Sequence, residues 1–183
     1  MGCFSLDWAR DTIRLKVGAK RMAELLDKLS SYNLFNYLLP GVLFAVIASK
    51  LTHYSFLGYE IFVAAFLYYF IGLVVSRFGS LVIEPALRNT GFVRFADYKS
   101  FVTASKKDPK IELLSEVNNT YRTLCSLFVL LLFLKLYERS AVRWPVLDRF
   151  AVGVLVVLLL LMFAFAFRKQ TEYVKKRIKA TET

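Results

Sequence analysis

The sequence predicts an all-α fold: an integral membrane four-helix bundle with an amphipathic N-terminal helix and cytoplasmic helical extensions. Three observations lead there. Hydrophobic residues make up 57% of the 183 positions and aromatics 16%, with a mean hydropathy of +0.48, well above an ordinary soluble domain. Four apolar runs approach the roughly 20 residues that a bilayer span requires. The formal net charge is +11, from 25 Lys and Arg against 14 Asp and Glu, and the basic residues gather outside the apolar runs. The length suits one domain, and 17 Phe with 10 Tyr suit lipid-facing and interfacial surface.

Residues 1–33 read as a cytoplasmic amphipathic helix. Trp8, Leu15, Met22 and Leu29 recur every seven residues with Ala19 and Leu26 beside them, an apolar stripe on one face. A shorter stripe of Leu6, Ile13 and Val17 blurs the pattern. Two readings follow: a membrane-surface helix drawn to anionic headgroups, or a helix packed on the cytoplasmic loop or a partner. The segment has six Lys or Arg and no continuous apolar core, so it is not read as a cleavable signal. Met1-Gly2-Cys3 departs from the myristoylation consensus at Leu6.

The transmembrane domain is expected over residues 34–167, with spans at 34–51, 56–78, 120–137 and 150–167. Lys50 ends the first, Glu60 and Arg77 lie near the ends of the second, and Arg122 and Lys135 mark the margins of the third. The fourth carries no strongly polar side chain. Orientation follows from the positive-inside rule. Nineteen basic residues fall in the N-terminal segment, the loop 79–119 with adjoining Arg77, and the tail 168–183; five fall on the other side. Both termini and the long loop are therefore expected in the cytoplasm. The outer connections are short: a tight hairpin at Thr52 to Ser55, and a turn at Glu138 to Arg149. In that turn Trp144 suits the interfacial belt and Pro145 opens the fourth helix.

Within the loop, Glu84-Pro85 is expected to end or kink the second helix, and Asn89-Thr90-Gly91 reads as a turn. A short helix is expected over Asp97 to Ser105. Asp108-Pro109 reads as the start of a helix running unbroken into the third span. The fourth helix is expected to continue into Tyr173, Val174 and Ile178, and Ala180 to Thr183 to fray.

Pro40 cannot donate to the Asn36 carbonyl and crowds it, so Asn36, Pro40 and Gly41 predict a kink. Gly72, Ser76 and Ser80 form a small-residue series for close helix packing, within the chain or between copies. Arg122 at span depth needs a carboxylate, and Glu84 or Glu116 is expected to supply it in a buried ion pair. His53 and Glu60 offer either a proton relay or an interfacial pair. Lys106, Lys107 and Lys110 are the expected docking surface for a cytosolic protein partner.

Enzyme signatures are missing. A lone His rules out the HExxH motif, and no nucleophile elbow or phosphate loop can be assembled. Cys3 and Cys125 fit no metal or disulfide spacing. The chain is read as a non-enzyme without cofactor or metal. Topology and lipid account for its basic residues, with no direct contact to nucleic acid.

The stretch Tyr32-Asn33-Leu34-Phe35-Asn36-Tyr37-Leu38-Leu39-Pro40-Gly41, together with Asn119-Thr120-Tyr121-Arg122-Thr123, resembles elements of small bacterial membrane proteins from phage-defence loci. The overall plan is similar to the four-span membrane component of the Kiwa anti-phage system. That resemblance implies a homo-oligomeric membrane assembly that recruits a cytosolic effector. The expected function is an oligomeric inner-membrane sensor or scaffold, and the alternative is a pore-forming effector that depolarises the membrane. A pore needs a polar helix face, for which the second span offers only Tyr68, Tyr69 and Ser76.

Overall fold

In the computed structural model the described residues are 34–181; they form helices joined by short connections, with no strand among them. The fold class is all-helical. The expected helix over residues 1–33, Cys3, and residues 182–183 of the tail lie outside the described residues.

A π-helical turn, Leu34–Leu38, leads into helix α1, Leu39–Leu51. Pro40 lies in the first turn of α1. Its ring crowds the carbonyl four residues back and it brings no N–H, so the backbone widens ahead of it.

Helix α2, Ile61–Phe78, begins later than the apolar run suggests. Residues 52–60 are an irregular connection rather than a tight hairpin and the first turns of a span. Gly58 has φ +95°, a conformation that leaves the helix. The Phe56 N–H donates to Ser49 Oγ at 2.9 Å, and its carbonyl accepts from the Tyr68 hydroxyl at 3.2 Å. These bonds satisfy both backbone groups of Phe56 in a loop whose composition alone resembles span.

At its other end α2 passes through a second π turn, Gly79–Ile83, into α3, Glu84–Asn89. Glu84-Pro85 therefore does not end the helix. Pro85 sits in the first turn of α3, after a π turn that absorbs the change of register its ring demands. The chain then turns at Thr90–Gly91, where Gly91 takes φ +74°.

Helix α4 is Tyr98–Lys107, α5 is Lys110–Arg143, and α6 is Val146–Thr181. Asp97 caps α4, accepting from the N–H groups of Lys99 and Ser100 at 3.0 and 3.3 Å. Asp108 Oδ1 accepts from the Lys110 N–H at 3.0 Å and steadies the start of α5. With 34 and 36 residues, α5 and α6 reach about 50 Å each at 1.5 Å per residue, beyond the roughly 30 Å of a bilayer's hydrocarbon core. Helix α6 continues through Ala180 instead of fraying there.

The long helices run up, down, up and down. Near one end Thr120 lies 3.5 Å from Asn36 and Glu84 pairs with Arg122. At the other, Lys135 reaches the Leu51 carbonyl. The buried core is Ala48, Val75, Leu127 and Leu131, closed by Phe44, Ile47, Phe56, Ile71, Leu130 and Leu134. Every one of these lies on α1, α2, α5 or the 52–60 connection. Helix α6 leans on α2 and α5 from outside, with Phe163 6.2 Å from Phe70 between ring centroids.

Among the described residues, two helices are long and apolar enough to cross a membrane, Ile61–Asn89 and Val146–Ala180; a shorter apolar helix covers Asn36–Leu51. None of the apolar stretch of α6 is buried, and Phe66 on α2 is 77% exposed. Apolar surface this continuous suits lipid rather than water.

Candidate functional site

The polar chemistry of the described chain collects at the two ends of the bundle. At the first end, Glu84 is the hub. Its Oε2 accepts from Arg122 Nη1 at 2.6 Å and its Oε1 from Lys169 Nζ at 3.0 Å. Lys169 Nζ also donates to the Ser80 carbonyl at 2.6 Å and to Ser80 Oγ at 2.9 Å. One carboxylate thus ties α3 to α5 and α6. Two cations around one anion leave the cluster positive, and Arg122 Nε is buried without a hydrogen-bond partner among the described residues. Burial pushes the Tyr173 hydroxyl above its ordinary pKa, and the nearby Glu84 charge adds to this; Lys169 Nζ lies 5.8 Å from the ring centroid.

Of the two carboxylates expected to pair with Arg122, the structure uses Glu84. Glu116 is exposed on α5, makes no ion pair among the described residues, and supplies only its carbonyl to the Thr120 hydroxyl. Six residues before Arg122 is about one and two-thirds helical turns, so Glu116 lies on another face of α5 and reaches water instead of the bundle interior. Lys169 was absent from the expected cluster. It lies 85 residues from Glu84, so no local spacing announces it.

Asn36, Pro40 and Gly41 are all buried where α1 starts. A Cβ on Gly41 would overlap the Tyr68 carbonyl, and one on Gly72 would overlap the Tyr37 carbonyl. The two glycines therefore set a backbone-to-backbone crossing of α1 and α2. Ser76 is buried beside it. Ser80 turns toward α6 and Lys169, while Gly79 makes the approach to α5, where a Cβ would overlap Ser126 Oγ. Tyr37 is fixed further by an edge contact with Tyr69 at 5.5 Å and by Arg77 Nη2, 3.3 Å from its hydroxyl.

Lys106, Lys107 and Lys110 stand together, all exposed, where α4 meets α5. Beneath them α4 is seated by buried Val102 and Ser105 and by Tyr98, whose ring lies 6.2 Å from that of Tyr173 on α6. The lysines thus ride on a packed helix.

At the opposite end Glu138 Oε2 accepts from Lys135 Nζ and Oε1 from the His53 N–H, each at 2.6 Å. These two bonds, the Lys135 bond first, hold its carboxyl below the usual range. Nearby, the Tyr137 hydroxyl donates to Asp148 at 2.7 Å and joins α5 to α6. The acidic neighbour of the His53 imidazole is therefore Glu138, 3.9 Å away. Glu60 is exposed at the start of α2. Cys125 is a free, exposed thiol. Among the described residues, no three of His, Cys, Asp and Glu gather as a metal-ion set.

No family model, curated protein or solved structure matches this chain.

Proposed function

We propose that the chain is a four-span integral membrane protein with the Lys106 end in the cytoplasm. In this reading it self-associates and docks a cytosolic partner on Lys106, Lys107 and Lys110. The observation that carries the reading is the placement of three exposed lysines on the capped, packed helix α4 and its junction with α5. A charged surface held rigid loses little freedom on binding, so it suits recognition. The two membrane-length helices supply two of the spans. The apolar helix Asn36–Leu51 and the Leu-rich part of α5, bracketed by Arg122 and Lys135, supply the others as antiparallel neighbours.

The pore alternative loses support from α2. Ser76 is buried in the chain, the Tyr68 hydroxyl is engaged by Phe56, and Tyr69 packs on Tyr37. On α2 these three leave no polar stripe for a conducting path. An anti-phage setting, resting on the resemblance of residues 32–41 and 119–123, is part of the same proposal. The test pairs two measurements on purified full-length protein. Changing Lys106, Lys107 and Lys110 together to Glu abolishes co-purification of the partner while insertion persists. The wild-type protein alone leaves the potential of sealed liposomes intact; depolarisation there would overturn the scaffold in favour of the pore.

A further inference from the structure

Next to the Glu84 cluster a cleft of about 290 Å³ opens between α3 and α6. Ser80, Glu84, Arg88 and Asn89 line one wall, and Lys169, Tyr173 and Lys176 are on the other. Glu84 is already satisfied by Arg122 and Lys169. The second carboxylate of the cleft, Glu172, is paired with Lys175 at 3.3 Å. Arg88 and Lys176 are exposed, and among the described residues neither has a carboxylate partner. The cleft therefore holds two uncommitted cations, a guanidinium fork and an ammonium, beside an amide and a phenol. That donor set matches an anionic phosphate ester.

Its position selects the source. The apolar run of α2 ends at Phe78 and that of α6 at Phe167; Ser80 and Lys169 come just after them. On the membrane reading proposed above, on which this inference rests, that is headgroup depth. On the apolar side of the cleft, α2 and α6 run parallel and touch through Phe70 and Phe163, while Phe167 and Leu160 are 76% and 69% exposed. Acyl chains can lie along that groove while the headgroup enters the cleft. Tyr173, a phenol that is protonated at neutral pH, supplies a neutral donor.

We infer that the α3–α6 cleft is a binding site for the phosphate of an anionic phospholipid, held by Arg88 and Lys176 with Asn89 and Tyr173. Lys169 and Ser80 shape its floor and stay engaged with one another.

The test uses the full chain in nanodiscs of phosphatidylcholine doped with phosphatidylglycerol, reading retained lipid by native mass spectrometry after extraction. Wild type retains phosphatidylglycerol over phosphatidylcholine. Arg88→Gln with Lys176→Gln lowers that preference roughly thirtyfold, about fivefold for each cation near the surface. Glu172→Gln, which removes an anion from the wall, raises it and covers the case in which the double variant misfolds. Equal retention by wild type and double variant, with no gain from Glu172→Gln, would overturn the site while leaving the membrane reading standing. Displacement of the lipid by millimolar inorganic phosphate would reassign the cleft to a soluble phosphate compound and overturn the lipid assignment. Failure of wild type to enter nanodiscs at all would sink the membrane reading and this site with it.

Discussion

Gly72 lies so close to Tyr37 that any side chain at position 72 would occupy the space of the Tyr37 carbonyl oxygen. Gly41 stands in the same relation to Tyr68 one layer away. Two reciprocal contacts of this kind mean that α1 and α2 meet backbone to backbone, the geometry small residues permit where lipid supplies no hydrophobic drive.

Gly72→Ala or Gly41→Ala is therefore expected to push α1 from α2. Overpacking of this kind costs about 1–3 kcal/mol, which lowers Tm by roughly 2–4 °C per kcal/mol in a chain this size. Gly153→Ala on α6 is the control, because a Cβ there meets nothing within 4 Å. Thermal unfolding of the three purified variants decides the matter. Equal Tm for all of them would show that the crossing is slack. The contact also makes Gly72 a device within one chain, which sends the search for a self-association surface elsewhere, to the open faces of α6.

Glu84→Gln leaves Arg122 and Lys169 facing each other without their shared anion. Breaking a fully buried pair costs about 3–5 kcal/mol. Glu84 keeps 15% exposure and Lys169 25%, so the expectation here is roughly 2 kcal/mol, less than that limit. A double-mutant cycle with Arg122→Gln isolates the pair. A coupling energy near zero would mean that solvent screens the contact.

How much of this was legible in the sequence depends on the distance each signal spans. The apolar runs of α2 and α6, the Pro40 disturbance and the Asp97 and Asp108 starts are local, written in neighbouring residues. Residues 52–60 misled because their composition matches a span; only Gly58's backbone and the Ser49 and Tyr68 hydroxyls separate them from one. Lys169 gave no signal because its partners Ser80 and Glu84 lie some 85 to 89 residues back. Ser80 stands out over Gly79 only when a small-residue series is read at a fixed spacing of four; Gly79, seven residues after Gly72, lies two turns on along the same helix. The Lys135–Glu138 pair sits at helical spacing and was readable, but nothing local tied it to His53.

Acid should loosen the His53–Glu138 contact. The Glu138 carboxyl titrates below the usual carboxylate range in the folded chain, held there by Lys135 and the His53 N–H. A lowered folded pKa contributes stability above the unfolded value, about 4.3, and that contribution is lost as pH falls through the folded value. The protection of the His53 amide, the slowing of its exchange relative to an unstructured amide at the same pH, should therefore be high at neutral pH and fall below about pH 4. In Glu138→Gln that protection should be lower at neutral pH and flat across the same range. An identical acid response in both proteins would assign the loosening to other carboxylates.

Topology is the remaining prediction, and it bears on the whole functional reading. Reporter fusions at Lys106 and after Thr183 are expected to report the cytoplasm, and one at Ser140 the outside. The physical basis is the charge asymmetry, nineteen basic residues against five, because lysine and arginine near span ends resist translocation. Helices α1, α2, α5 and α6 alternate in direction along the sequence, the order that the proposed four crossings require. A cytoplasmic signal at Ser140 would leave α5 and α6 uncrossed. The Glu138 cluster and the Lys106 platform would then share one side of the membrane, and the four-span scaffold would fail.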